Sequence, residues 1–374
     1  QRPPSNLVFL LDVSGSMNQR DKLPLLKRAF KLLAGQLDAR DTVSIVVYAG
    51  ASGLALPPTK GDRKAEILQA IGNLRAGGGT HGAAGIRLAY EVAQKQFIEG
   101  GTNRVILATD GDMNVGTTSQ SELVDLVQSR AKGGVFLSVL GFGRGNLKDS
   151  TMETIADKGN GNYAYIDSVA EARKVLGSQF GGTLITIAKD VKIQVEFNPT
   201  EVAGYRLIGY ENRMLASRDF NDDTKDAGEL GAGHTVTALY EVVPAGQSVP
   251  GASVDSLKYQ KPASPSAAAG EGELMTVKLR YKAPQGATSQ LVSQPVHQAT
   301  VDTRPSRDFQ WATAVAGFGM LLRGSKHNGE LSWDRIIATA TRAVGPDPTG
   351  QRMEMVVLAK QARELARANP AATP

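Results

Sequence analysis

Residues Leu7-Val8-Phe9-Leu10-Leu11 are apolar without a break, and the run stops at Asp12-Val13-Ser14-Gly15-Ser16. A strand that is apolar at every position has no solvent face, so it belongs inside a sheet covered on both sides. A parallel sheet wrapped in helices meets that condition. The pattern recurs downstream. Arg104–Thr109 carries Val105, Ile106 and Leu107 and ends at Asp110, and Val135–Leu140 is a further buried strand.

Helical spacing fills the intervals. Leu23, Leu26, Phe30, Leu33 and Leu37 recur along Lys22–Leu37, with Pro24 tolerated in the first turn. Lys64–Leu74, His81–Phe97, Ser121–Ala131, Thr151–Lys158 and Ser168–Phe180 read as helices. Thr42–Tyr48, a short edge strand Gly53–Leu56 stopped by Pro57-Pro58, and Tyr163–Ile166 complete the strands. The expectation for residues 1–180 is an α/β domain, a doubly wound, mostly parallel six-stranded sheet.

The pattern changes near Gly181-Gly182. Val191–Phe197, Tyr205–Tyr210, His234–Val243 and Leu274–Tyr281 alternate at period two with no helices between them. Residues 181–303 therefore read as an antiparallel β-sandwich. Its stretch 245–272, rich in Ala, Ser, Pro and Gly, reads as a disordered-leaning loop. Residues 304–374 read as a helical segment packed on the β-domain, through Phe309–Arg323, Trp333–Ala343 and Met353–Ala368.

Bulk properties narrow the classes. The chain has 374 residues, enough for two or three domains, and a net charge of +5 with both signs scattered. It has no basic stripe interleaved with aromatics, so nucleic acid is not an expected partner. No apolar run reaches the about eighteen residues of a membrane span. Absent cysteine rules out disulfides, thiolate metal sites and cysteine nucleophiles. The chain opens on Gln1, a few residues before a core strand, so it reads as a fragment whose targeting signals lie upstream.

Asp12, Ser14 and Ser16 place one carboxylate and two hydroxyls at alternate positions where a buried strand ends. An oxygen-only set of this kind suits a hard divalent cation. Two other segments supply more oxygen. Gly77-Gly78-Gly79-Thr80 opens a helix, its glycines let the backbone pass close to an ion, and Thr80 can present a hydroxyl. Asp110 ends the strand Arg104–Thr109. In an open α/β sheet ligands bind at the carboxyl ends of the strands, and Asp12 and Asp110 become neighbours if the order is 3-2-1-4-5-6.

The set Asp12-x-Ser14-x-Ser16, Thr80 and Thr109-Asp110-Gly111 resembles the metal-ion-dependent adhesion site of the von Willebrand factor type A family, over residues 1 to 180. The resemblance implies metal ligands Asp12, Ser14, Ser16, Thr80 and Asp110, with Mg²⁺ as the ion and Mn²⁺ or Ca²⁺ as alternatives. It implies no catalysis: a partner protein supplies an Asp or Glu carboxylate to the open coordination position. It also implies that ligation can couple to the domain's last helix, Ser168–Phe180. Downstream, Asn198-Pro199, Tyr205–Asn212 and Asp219–Asp223 are similar to a bacterial cell-envelope group of these proteins, which implies a periplasmic or extracellular location. An adaptor or assembly factor for an AAA-type ATPase is the second reading. A metal-assisted hydrolase is the third, disfavoured because hydroxyl ligands activate a water poorly and no positioned base is evident.

Other residues invite plainer readings. Asp112 reads as a rim or loop-capping residue, and His81 as a first-turn polar residue. Gly141-Phe142-Gly143-Arg144-Gly145 lacks the third glycine of a dinucleotide loop and reads as a turn. His234, His297 and His327 are isolated. Asp219, Asp222, Asp223 and Asp226 lack EF-hand spacing and read as a solvated loop rather than a Ca²⁺ site.

Overall fold

The computed structural model describes residues 2–79, 82–111, 120–144, 149–178, 185–210, 214–250, 264–298 and 304–368. Its central feature is a six-stranded sheet made of β1 (Ser5–Asp12), β2 (Thr42–Tyr48), β3 (Ser52–Lys60), β4 (Thr102–Thr109), β5 (Val135–Phe142) and β6 (Tyr163–Ile166). The order is β3-β2-β1-β4-β5-β6. All pairings are parallel except β2 with β3.

Every residue of β1 is buried, as an all-apolar run requires. Successive side chains alternate between faces. Leu7, Phe9 and Leu11 join the core under α1 (Leu23–Gly35), α2 (Lys64–Asn73) and α6 (Val169–Arg173). Val8 and Leu10 join the core under α3 (Gly82–Lys95), α4 (Gln120–Lys132) and α5 (Asp149–Lys158). Each fully buried Leu, Val or Phe contributes roughly 1.5–3 kcal/mol of transfer free energy. Two such layers are why this half is specified so firmly.

Two elements differ from the sequence expectation. β3 does not stop at Pro57-Pro58 but runs to Lys60. It is the edge strand, and a bulge keeps both prolines out of the ladder: Ile45 pairs with Leu56 and Val43 with Thr59, so no ladder bond is asked of Pro57 or Pro58. The last helix of the domain is also short. Ser168 caps α6 by accepting from the Glu171 amide, and the helix widens into a π turn over Lys174–Ser178. Residues 179–184, the rest of the expected helix and the start of the next segment, lie outside the described residues.

The remaining strands are β7 (Thr186–Phe197), β8 (Val202–Ile208), β9 (Gly228–Gly231), β10 (Leu239–Pro244), β11 (Glu273–Lys282) and β12 (Gln290–His297). They form a four-stranded sheet, β12-β11-β7-β9, and an antiparallel pair, β10-β8. β7 and β9 are antiparallel. Helices α7 (Arg307–Leu322), α8 (Trp333–Ala343) and α9 (Gln351–Ala368) follow, packed around Ala314, Ala340 and Val356. Of the stretch 245–272, residues 251–263 lie outside the described residues. Near its end a short 3₁₀ turn, Ala267–Gly270, is held where the Asn198 amide and the Thr200 hydroxyl donate to Ala269 O.

The chain divides into two compact units, residues 1–193, 218–235 and 279–292 in one, and 194–217, 236–278 and 293–374 in the other. In the first unit the acidic loop has its own donors. Asp222 accepts from the Thr224 amide and hydroxyl, Asp223 from the Ser289 amide, and Asp226 pairs with Lys158 at 2.8 Å.

Candidate metal centre

Strand register builds the site. Leu11 stands level with Ala108 across β1 and β4, so Asp12 is opposite Thr109 and Asp110 lies one step beyond. On the other side Asp12 is level with Tyr48 of β2. The Asp12 carboxylate is then pinned by three donors. Thr109 Oγ1 and Tyr48 Oη donate to Oδ2 at 3.1 and 3.2 Å, and the Ser14 amide donates to Oδ1 at 2.9 Å. Tyr48 is itself fixed by α3: a Cβ on Gly85 would stand 2.8 Å from Tyr48 Cβ, so only glycine allows the helix this close. Burial pushes the Asp12 carboxyl above its usual range, bonds from Ser14 pull it back, and the charge of Asp110 pushes it up again. Burial, then the Asp12 charge, raises the Tyr48 phenol well above normal, so it stays a donor.

The loop after β1 is a 3₁₀ turn, Gly15–Asn18, anchored by the fully buried Met17. It sets Ser14 Oγ and Ser16 Oγ 3.0 Å apart, with Ser14 buried and Ser16 exposed on the rim. The glycine run is stitched to this loop, for the Gly15 amide donates to Gly78 O at 3.1 Å and the Gly77 amide to Val13 O at 2.8 Å. Thr80, the next hydroxyl in line, lies outside the described residues, as do His81 and Asp112. The structure therefore brings Asp12, Ser14, Ser16 and Asp110 to the carboxyl ends of adjacent strands. Among the described residues no three His, Cys, Asp or Glu side chains gather to hold a metal. The two aspartates would share an ion with hydroxyls, a donor set that fits Mg²⁺ or Mn²⁺ and does not fit a soft metal.

Three neighbours of the site escaped sequence reading. Tyr48 read as a strand end and Thr109 as part of a motif, yet both hydroxyls fix Asp12. Lys22 read as the first residue of a helix. Its Nζ donates to Asp110 Oδ2 at 2.8 Å, with both side chains almost wholly buried. Beside the site a groove of about 220 Å³ opens between Asn18, Leu23 and Pro24 on one side and Leu74, Arg75 and Ala76 on the other.

Comparison with known proteins agrees with this geometry. Residues 6–177 match the model of the von Willebrand factor type A domain, and residues 182–365 match that of the uncharacterized protein YfbK C-terminal region. The chain is a von Willebrand factor type A domain protein with a YfbK-type C-terminal region. Uncharacterized protein YfbK of Escherichia coli is 47% identical over 356 residues, covering 95% of this chain, and the chain spans 61% of that relative's length. The magnesium-chelatase 60 kDa subunit of Cereibacter sphaeroides is 39% identical over 111 residues, 29% of this chain and 19% of its own. Among solved structures, a von Willebrand factor type A protein from Catenulispora acidiphila is 16% identical, covers 91% of this chain and 80% of its own, and has a TM-score of 0.47. No helix among the described residues is long and apolar enough to cross a membrane.

Proposed function

We propose that this type A domain is a non-enzymatic, Mg²⁺-dependent protein-binding module of the cell envelope, carried by residues 1–180 with 181–303 and 304–374 as its scaffold. The ion would be held by Asp12, Ser14, Ser16, Thr80 and Asp110. The observation that carries the reading is the pairing of two buried carboxylates with two neutral hydroxyls at the ends of adjacent strands. Hydroxyl ligands leave a divalent charge under-compensated, and the bound ion supplies a coordination position for an outside carboxylate.

The protein's own groups have distinct tasks. Tyr48, Thr109 and the Ser14 amide hold the Asp12 carboxylate in one orientation. Met17 fixes the turn that presents Ser16 at the rim, where a partner reaches it. The adjoining groove carries the positive charges of Lys27 and Arg75, each held by the Gly72 and Leu74 carbonyls, and that charge suits acidic flanking residues of a partner. A partner that contributes an Asp or Glu suits both features. The test is capture from an envelope extract in Mg²⁺ against EDTA. A protein should be retained in Mg²⁺ alone and lost with Asp12→Ala, and retention that ignores EDTA or the substitution would refute the reading.

A further inference from the structure

Lys22 breaks a local rule. It occupies the N-cap of α1, a position that favours Ser, Thr, Asp or Asn, and its side chain makes no capping bond. A cation there also faces the positive end of the helix dipole. Its ammonium is nevertheless buried, paired with Asp110 Oδ2 at 2.8 Å. The stem is clamped as well. Gly143 has φ +83°, and a Cβ there would come within 2.5 Å of Lys22 Cε and 2.6 Å of Cγ. Gly143 is itself held, since Tyr165 Oη donates to its carbonyl at 3.0 Å, and the Arg144 amide donates to Asp21 at 3.2 Å. A violation of local preference this well supported elsewhere marks a functional position.

Resting on the metal-centre reading above, we infer that Lys22 is a resident positive charge of the site, a positioning residue that stays on Asp110 when the ion is bound. Two aspartates and one lysine leave the site with a single net negative charge. The ion is then held less tightly and keeps a larger share of its charge for the incoming carboxylate. The clamp at Gly143 argues for a fixed charge rather than one that swings out when the ion enters.

The experiment titrates the whole 374-residue chain with Mn²⁺ alone, following free Mn²⁺ by electron spin resonance, in wild type, Asp12→Ala and Lys22→Met. Lys22→Met keeps the apolar stem and removes the charge. It should bind Mn²⁺ at least tenfold more tightly than wild type, and acetate added to its Mn²⁺ form should bind more weakly. In EDTA the variant should melt lower than wild type, with Mn²⁺ restoring the difference. Gly143→Ala, which presses on the stem without deleting the charge, should move Mn²⁺ affinity in the same direction. Mn²⁺ affinity unchanged or weakened in both variants overturns the inference while leaving the site reading intact. Wild type without Asp12-dependent Mn²⁺ uptake overturns the site reading, and the inference with it.

Discussion

At the carboxyl end of the six-stranded sheet, Asp12 and Asp110 are buried beside hydroxyls and one lysine. At the amino end, Arg104 is buried near the start of β4. Its guanidinium donates to Ser138 Oγ at 2.6 Å and Thr186 Oγ1 at 2.9 Å. Burial pushes Arg104 down to about 10, still charged at neutral pH. Glu229 of β9 lies in the same environment, with Oε1 buried and without a hydrogen-bond partner and its carboxyl pushed up to about 9 by burial and by Asp226, Asp157 and Asp190. The amino end is closed by the chain's own later residues, Thr186 and Glu229. The carboxyl end keeps Ser16 and a groove open to solvent. On the proposed reading the first end is structural, with bonds to Ser138 and Thr186 offsetting the cost of burying Arg104, and the second end is the one that takes a ligand.

The largest test of that contrast is Arg104→Ala. Deleting a wholly buried cation and its packing should cost roughly 3–5 kcal/mol in urea unfolding and leave Mg²⁺ binding in place. A loss of metal binding at unchanged stability would reverse the assignment of the two ends.

Glu229 adds a pH dependence. Its folded value of about 9 lies above the ordinary 4.5, so the neutral form is favoured by folding. The stability it contributes is full below about pH 4.5 and is lost as pH rises through about 9. Wild type should melt progressively lower from pH 5 to pH 9, and Glu229→Gln should flatten that trend. Parallel melting curves would show that Glu229 does not set the trend.

Asp12→Ala should do the opposite of Arg104→Ala. It strands the buried Tyr48 and Thr109 hydroxyls, costing about 1–3 kcal/mol in EDTA, while metal binding vanishes. Ser168→Ala sharpens the carboxyl end further. Loss of the α6 cap should cost about 1 kcal/mol in thermal unfolding and leave metal affinity within error. A large affinity change would tie the last helix of the domain to the ion.

How much of this was legible in sequence follows from how each feature is encoded. β1, β4 and β5 announce themselves because strands buried on both faces leave contiguous apolar runs. Asp12, Ser14 and Ser16 lie within five consecutive residues, and Asp110 directly follows a strand, so periodicity and position suffice. Lys22 is separated from Asp110 by 88 positions, and only the register of β1 against β4 brings the loops that carry them together. β9, reading Gly-Glu-Leu-Gly, has one apolar residue, and in β12 adjacent Leu291 and Val292 and then Pro295 break the alternation, so period-two patterning passes over both edge strands. Glu229 inside β9 was hidden for the same reason.

Asp12 and Asp110, with the loop hydroxyls, are proposed to form one divalent-cation site. Calorimetric titration of the chain with MgCl₂ and MnCl₂ tests it most directly. Wild type should show one saturable site, absent in both Asp12→Ala and Asp110→Ala while each variant still melts cooperatively. Wild-type heats reproduced in either folded variant would contradict it.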